Sequence, residues 1–588
     1  MAQDYTLTIR VINSILTSTG VLPAVSNDLC GDSRYVPFVS CYYDGRYNIH
    51  NVTVNITSTD VGTGKLCDVP ENMDRAVFMG EFFLNDPNMH IKDDIGSLFR
   101  FSMGFMVHLY INAKGVYGTL PLTPNFMTLE TLVIYASLTG ELPSRYGNAK
   151  TVDLYGNSLE KVDALFLGKI ETLNVSHNKI SFIKDFWRNY YPRRFVTIDL
   201  SYNELTTLGV ERSTMQSGVS TPNLVFLNLS HNKLQGTLAG EPFNFVLETF
   251  DASHNKIESP FPDVTNATLL RYFNVADNSL EGQLTGNALS LPSLEVFHAE
   301  RNSLTGPIGS IASRNIKVFD VHDNKFSGNF PAELAQMSRM EHLDLSGNPE
   351  LGGTLNVNAN VFANVEVLNV GRTAIDLTIP ASFLVNSKLR HFSVANAGTF
   401  TITGVPADAQ LPNVLSDTLE TLDLTGAGLT GPLPPEWADK PNLKEVNLVG
   451  NTITGCAPDV WTKHSALNAA YQGLKQTSDV RLCGGADAKE TEKSGSNTGL
   501  IVGLSVGIGA VVLLVAILVP VFLCCRRKKK KQEAPPPGED NDKDTGGGRT
   551  AGDLSENPLN CAPSGANLRE SENLSYYDWG SNSDVSSV

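Results

Sequence analysis

The chain has 588 residues, with 45 Lys and Arg against 62 Asp and Glu, for a formal net charge of −17. The acidic surplus does not come from the C-terminal tail: leaving out the 9 basic and 11 acidic residues from Arg526 onward still gives 36 against 51, or −15. A surface of that sign repels phosphate backbones and anionic lipid, so nucleic acid is excluded as the expected partner.

The first residues, MAQDYTLTIRVINSILTSTGVLPAV, hold no continuous apolar h-region, because Asn13 and Ser14 interrupt the best stretch, Val11 to Leu16. Later segments require export, so a leader ahead of Met1 is expected. Cys30, Cys41 and Cys67 follow; three thiols allow one pair and leave one over, and the sequence does not choose the pair. No C-x-x-C spacing occurs, so no zinc knuckle and no other metal site or cofactor is expected. Ile49, Val52 and Val54 show the apolar spacing that recurs further on, so a sheet is expected to begin soon after these cysteines. Residues 70–106 have apolar residues without a clean period, and 1–106 is assigned as an N-terminal cap region with degenerate first repeats.

From residue 107 one line recurs, L-x-x-L-x-L-x-x-N-x-L, as in LVFLNLSHNKLQGTL from Leu224, LRYFNVADNSLEGQL from Leu270, LEVFHAERNSLTGPI from Leu294 and LETLDLTGAGLTGPL from Leu419. The last apolar residue of each segment gives 15 anchors: Ile111, Ile134, Leu154, Val175, Leu200, Leu229, Ala252, Val275, Ala299, Val321, Leu345, Val370, Val394, Leu424 and Leu448. Their spacing averages about 24 residues, and longer gaps before Leu229 and Leu424 mark inserted loops. Period-2 alternation within each segment predicts a short strand with apolar residues turned inward. The pattern identifies an α/β-type solenoid over 107–465, a leucine-rich repeat horseshoe or superhelix with a parallel concave sheet.

Three positions after the anchor stands Asn157, Asn178, Asn203, Asn232, Asn255, Asn278, Asn302, Asn324, Asn348 or Asn451, whose amide is suited to bonding backbone groups of adjacent turns. Thr373, Ala397 and Ala427 take its place late in the array, so the ladder is expected to weaken there. Next comes L-x-G-x-[LIF]-P, as in LTGELP from Leu138, FSGNFP from Phe326, LTGPLP from Leu429 and ITGCAP from Ile453, which predicts an extended convex side. These lines resemble the L-[TS]-G-x-[IL]-P repeats of plant receptor-like proteins. The Pro-x-x-Trp endings PLPPEW (Pro432 to Trp437) and CAPDVW (Cys456 to Trp461) also resemble kinetoplastid surface-antigen repeats.

Five N-x-[ST] sequons precede the C-terminal hydrophobic segment, at Asn51, Asn55, Asn174, Asn228 and Asn266. Asn174 and Asn228 sit between two core residues of a predicted strand, so either a glycan occupies the concave face or the sequon is repeat consensus, since Asp199, Asp251, Asp320, Asp344 and Asp423 share the column. Three SHNK copies align His177, His231 and His254, which would suit a metal or a pH sensor, or reflect repeat copying alone. For ligand binding, Phe226, Tyr272, Val296 and Val318 fall in one solvent-facing strand lane, with His298 and Arg301 nearby. No G-x-S-x-G, H-E-x-x-H or Walker-type loop is present, and no catalytic residue or enzyme activity is expected.

Cys456 and Cys483 close the array, and a bridge between them would tie a C-terminal cap within residues 466–498. Gly499 to Cys525 carries 27 residues without a charge and is followed by RRKKKK, predicting a transmembrane helix over 499–525 with the C-terminus in the cytoplasm and the repeats outside the plasma membrane. Gly499, Gly503 and Gly507 are spaced for helix-mediated dimerisation, though glycine is common in such helices anyway. The tail, 526–588, is rich in Pro, Gly, Ser and acid and is expected to be disordered, with Ser586-Ser587-Val588 matching the carboxyl-terminal pattern of a cytoplasmic PDZ adaptor's ligand. The expected function is a non-catalytic single-pass surface protein that binds an extracellular protein or glycan ligand. A passive structural coat antigen and an enzyme-inhibiting repeat protein are the alternatives.

Overall fold

The computed structural model describes residues 6–20, parts of 33–78 and most of 79–484, apart from short stretches of which 164–168, 185–193, 208–221 and 238–242 are the longest. The predicted membrane helix 499–525, the tail 526–588 and the loop inserted before Leu229 lie outside the described residues. Among the described residues no helix is long and apolar enough to cross a membrane.

Each repeat contributes one three-residue strand to a parallel sheet, from Thr151–Asp153 through Thr172–Asn174, Thr197–Asp199, Phe226–Asn228 and onward to Glu445–Asn447. Pairing is in register throughout: Thr172, Thr197, Phe226, Thr249, Tyr272, Val296, Val318, His342 and Val367 stand side by side. The middle residue of each strand points into the core, so the alternation predicted from sequence is realised as half-buried, buried, half-buried. Burying the same position in every turn stacks like on like. Phe250, Phe273, Phe297 and Phe319 form a spine with ring centroids 5.4 to 5.7 Å apart, each essentially inaccessible to solvent.

All ten ladder asparagines act as predicted. Asn178 is representative: its Nδ2 donates to the anchor carbonyl of the preceding turn, Leu154 O, at 3.0 Å and to its own, Val175 O, at 3.0 Å, while its Oδ1 accepts the Leu159 N–H at 2.9 Å. Asn348, fully buried, repeats this with Val321 O, Leu345 O and the Phe326 N–H. Thr373 reaches only its own anchor carbonyl, Val370 O, at 2.6 Å and accepts the Ile375 N–H at 3.3 Å. The turn-to-turn link is therefore missing there, although the strands continue in register. The convex side is extended as expected, with a second parallel sheet running from Glu281–Gln283 to Phe400–Thr403 and short 3-10 turns such as Pro435–Asp439.

The sheet begins earlier than residue 107. Ile49–Thr57 pairs in parallel with Glu81–Asn85, which pairs in parallel with His108–Thr119, so two strands within 1–106 already belong to the solenoid. Val39–Asp44 runs antiparallel to the first of them. The stretch that reads as a broken h-region is an amphipathic helix, Thr6–Ser18: Val11, Ile12, Ile15 and Leu16 lie on one face and are fully buried, consistent with a helical rather than a continuous period. Cys67 is buried with its sulfur 3.8 Å from Ser14 Oγ; Cys30 and the Cys41 side chain are not among the described residues, so the N-terminal pairing falls outside them. At the far end, helix Ser465–Thr477 lays Ala466, Leu467, Ala470, Tyr471 and Leu474 over the last turn, and Cys456 bonds Cys483. Trp437 and Trp461 are fully buried, stack at 5.9 Å, and donate to Pro412 O and Pro434 O.

Candidate functional site on the concave face

Two columns define the concave face. In the first, the residue two past the anchor takes the left-handed conformation: φ is 53° at His177, 52° at Tyr202, 53° at His231, 52° at His254, 52° at Asp277 and 51° at Arg301. That geometry aims each N–H at the next turn, as in His177 N to Ser201 O at 3.0 Å, and the backbone bond offsets the strain of a non-glycine residue there. It also stacks the side chains. The rings of His177, Tyr202, His231 and His254 lie 4.0 to 4.1 Å apart and nearly parallel, and the series continues through Tyr155 to Tyr135 and Tyr110 in edge contacts. Burial lowers the pKa of His177 and His231, which favours the neutral form of both rings in the stack. The SHNK histidines are structural stacking partners, and the grouped metal-ligating side chains among the described residues lie elsewhere.

Past His254 the column turns ionic. His254 Nδ1 lies 3.1 Å from Asp277 Oδ2, and Arg301 clamps Asp277 through two bonds of 2.5 Å, Nε to Oδ1 and Nη2 to Oδ2. Arg301 Nη1 also lies 3.2 Å from His322 Nε2.

The second column is the last strand residue of each turn. Aligned, it reads Asp153, Asn174, Asp199, Asn228, Asp251, Asn274, His298, Asp320, Asp344, Asn369, Ser393, Asp423 and Asn447. For six turns Asp and Asn alternate, so an amide separates every pair of carboxylates; Asn274 Nδ2, for example, donates to Asp251 Oδ2 at 3.2 Å. Burial still raises the pKa of Asp153 and Asp199. The alternation is present in the sequence but visible only when the anchors are aligned; position by position the column reads either as glycan sites at Asn174 and Asn228 or as repeat consensus.

At Asp320 and Asp344 two carboxylates become neighbours. Three histidines surround them: His298 Nδ1 is 3.2 Å from Glu300 Oε2, His322 Nδ1 is 2.7 Å from Asp320 Oδ1, and His342 Nε2 is 3.3 Å from Asp320 Oδ2. Burial opposes ionisation of Asp320, but His322 and His342 outweigh it and hold its carboxyl far below the usual range. Burial and the Asp320 charge push Asp344 the other way. His298 and His322 are both raised despite their burial, by Glu300 and Asp320 respectively.

The sequence-predicted binding residues are only partly brought together. Phe226, Tyr272, Val296 and Val318 do share one lane, but they are half-buried between neighbouring strands rather than exposed. Tyr272 accepts from Asn274 Nδ2 at 3.2 Å and approaches Asp251 Oδ2 at 3.4 Å, so it belongs to the acid-amide column. His298 stands in that column and Arg301 in the left-handed one; Phe226 is remote from both. Beyond Asp344, small residues open a polar hollow of about 400 Å³ lined by Ser346, Asn369, Arg372, Ser393, Asn396 and Asp423, among others. Gly371, Ser393 and Ala395, where side chains are small, also line it, and no motif in the sequence marks them.

The amide ladder, the register and the left-handed column together define the class: the chain is a leucine-rich repeat protein. The leucine-rich repeat family matches residues 223–245. Within the class the array is similar to plant receptor-like proteins. It is 28% identical over 227 residues to receptor-like protein 35 of Arabidopsis thaliana, covering 36% of this chain and 23% of that one. It is 26% identical over 351 residues to receptor-like protein 39 of the same plant, covering 55% and 36%. The chain thus matches well under two thirds of the length of these relatives. Its fold is that of the PEPR1–AtPEP1 crystal structure, at a TM-score of 0.52 and 17% identity over 77% of this chain and 66% of the other.

Proposed function

We propose that the repeats form the extracellular recognition domain of a non-catalytic, single-pass receptor-like protein, and that a protein or peptide ligand lies along the concave face from His298 to Asn447. The observation that carries this reading is the contrast within the second column. Up to Asn274 the concave groups satisfy one another, whereas beyond Asp344 the surface opens into a polar hollow with Arg372 at its rim, 63% exposed and held 2.9 Å from Asp323. Its donors and acceptors would fix the orientation of a bound molecule's polar groups, the part such groups play in ligand sites. The PEPR1–AtPEP1 crystal structure has a similar fold, and the curated relatives are receptor-like by name.

Glycan placement follows from the same column. Asn174 and Asn228 spend their side chains within it, each Oδ1 accepting the N–H and hydroxyl of the serine two residues on, at 3.1 and 2.7 Å for Ser176 and at 3.0 and 2.8 Å for Ser230. Both are half-buried, whereas Asn55 and Asn266 are exposed. Modification is therefore assigned to Asn55 and Asn266, with Asn51 expected to follow them, and the concave sequons stay bare.

The test is saturable binding of candidate extracellular peptides to cells displaying the full chain. Ser393→Arg, which fills the hollow, should abolish it, and Lys256→Glu on the convex side should leave it intact. Binding that survives Ser393→Arg, or that never saturates, would favour the coat-antigen reading. Protease treatment of intact cells, with epitope tags at both ends, checks the topology: the repeats should be cleaved and the tail protected.

A further inference from the structure

We propose that Asp320, His342 and Asp344 form a binding site for one divalent transition-metal ion of the zinc type, placed where the alternation of acid and amide fails. Elsewhere in the first half of the array each carboxylate of the column has an amide beside it. Asp320 does not, because the turn before it supplies His298 and the turn after it supplies a second aspartate, Asp344, whose own amide neighbour, Asn369, lies on its far side. Neighbouring strands lie about 4.8 Å apart, so the two carboxylates stand side by side with no amide of the column between them, and a bound cation would balance the pair.

The surrounding atoms are arranged for a metal. The ligating atoms of Asp320, His342 and Asp344 all lie within 4.8 Å of one another. His342 Nε2 is shielded from solvent, stands 3.3 Å from Asp320 Oδ2, and makes no hydrogen bond. Ligands bound at about 2.0 to 2.1 Å to a tetrahedral ion stand about 3.3 to 3.4 Å apart, the separation seen for this pair. Each carboxylate is also oriented by a neighbour. Asp320 Oδ1 accepts from the His322 N–H at 3.1 Å and faces its ring Nδ1 at 2.7 Å, which leaves Oδ2 turned to His342. Asp344 Oδ1 accepts the Ser346 N–H at 2.9 Å and Oδ2 accepts from Asn369 at 2.9 Å. Such second-layer bonds fix the direction of metal-binding carboxylates. One imidazole with two carboxylates selects a zinc-like ion over calcium, which needs six to eight oxygens. Three protein ligands on an open face leave a coordination position for water or for an acceptor on a bound molecule.

The experiment titrates the full chain with Zn²⁺ alone, in competition with a chromogenic chelator, and records the visible spectrum with Co²⁺ alone. One equivalent per chain and a low-symmetry cobalt spectrum are expected. Asp320→Asn restores the acid-amide alternation and creates no new sequon, so it should fold, and it should abolish the cobalt spectrum and weaken Zn²⁺ by at least tenfold. His342→Gln should do the same by an independent route, and His254→Gln, in the ring stack, should change nothing. Absence of stoichiometric binding, equal binding by the wild-type chain and the two site variants, or Ca²⁺ competing as well as Zn²⁺ would overturn the site. In that event the His322 and His342 rings alone neutralise the carboxylate pair.

Discussion

The concave column from Asp153 to Asn274 and its continuation from His298 to Asp344 are built on the same strands in the same register, yet they differ in how their charge is handled. In the first stretch every carboxylate has an amide neighbour and the rim beside it is a stack of rings. In the second, two carboxylates adjoin, three histidines crowd them, and the rim is an Asp277–Arg301 clamp. A repeat array needs uniformity only where it packs. Where the side chains face the groove the repeat is released, and a departure from the pattern marks a place with work beyond folding.

Four measurements test the contrast between the two stretches. The largest concerns what both stretches share. Asn348→Ala leaves the Phe326 N–H and the Val321 and Leu345 carbonyls of a fully buried site without partners, so a loss of roughly 3 to 5 kcal/mol is expected in urea unfolding. Thr373→Ala, where no turn-to-turn link exists, should cost about 1 kcal/mol. Equal losses would mean that the ladder does not hold the turns together.

Removal of the Cys456–Cys483 bridge, 27 residues apart in sequence, should cost about 3 kcal/mol on the chain-entropy account. The loss should appear as early opening of the C-terminal turns in hydrogen exchange, with the stretch from Asp153 to Asn274 unaffected. Global destabilisation without local opening would show that the cap is not a separate unit.

Converting the quiet stretch to the charged kind is the direct test. Asn228→Asp places a third carboxylate between Asp199 and Asp251, with no histidine of the column beside it, and should lower stability by roughly 1 kcal/mol, the more so at low salt. No change would mean that the alternation is incidental.

The smallest effect is in pH. Burial raises the Asp153 pKa, so the folded chain holds this proton at pH values where the unfolded chain has released it. The folded state then binds more protons, and this group's contribution to stability grows as pH falls from neutral toward about 4. It declines as pH rises through the raised folded value. Asp153→Asn should flatten that part of the curve, and an unchanged slope of urea midpoints against pH would contradict the assignment.

Much of this was legible in the residues. The anchors, the Asn ladder, its gaps at Thr373, Ala397 and Ala427, the extended convex side and the Cys456–Cys483 pair follow from spacing, because in a solenoid each turn meets only its neighbours and a local pattern is nearly the whole structure. The N-terminal region was harder to read: Val11 to Leu16 looks like an interrupted apolar run until the helix places Val11, Ile12, Ile15 and Leu16 on one face. The proposed ligand lane was partly misjudged, because strand residues that alternate outward can still be half-buried by the turns on either side, as Phe226 and Val318 are.

The solenoid and its C-terminal end follow from the residues alone, since hydrophobic period and backbone satisfaction are local demands that each repeat states for itself. Only the tertiary structure decided which residues of different repeats stand side by side: that His177, Tyr202, His231 and His254 stack, that Asp and Asn alternate across strands, and that His342 faces Asp320. Those contacts join residues 20 or more apart in sequence, and lateral stacking creates them.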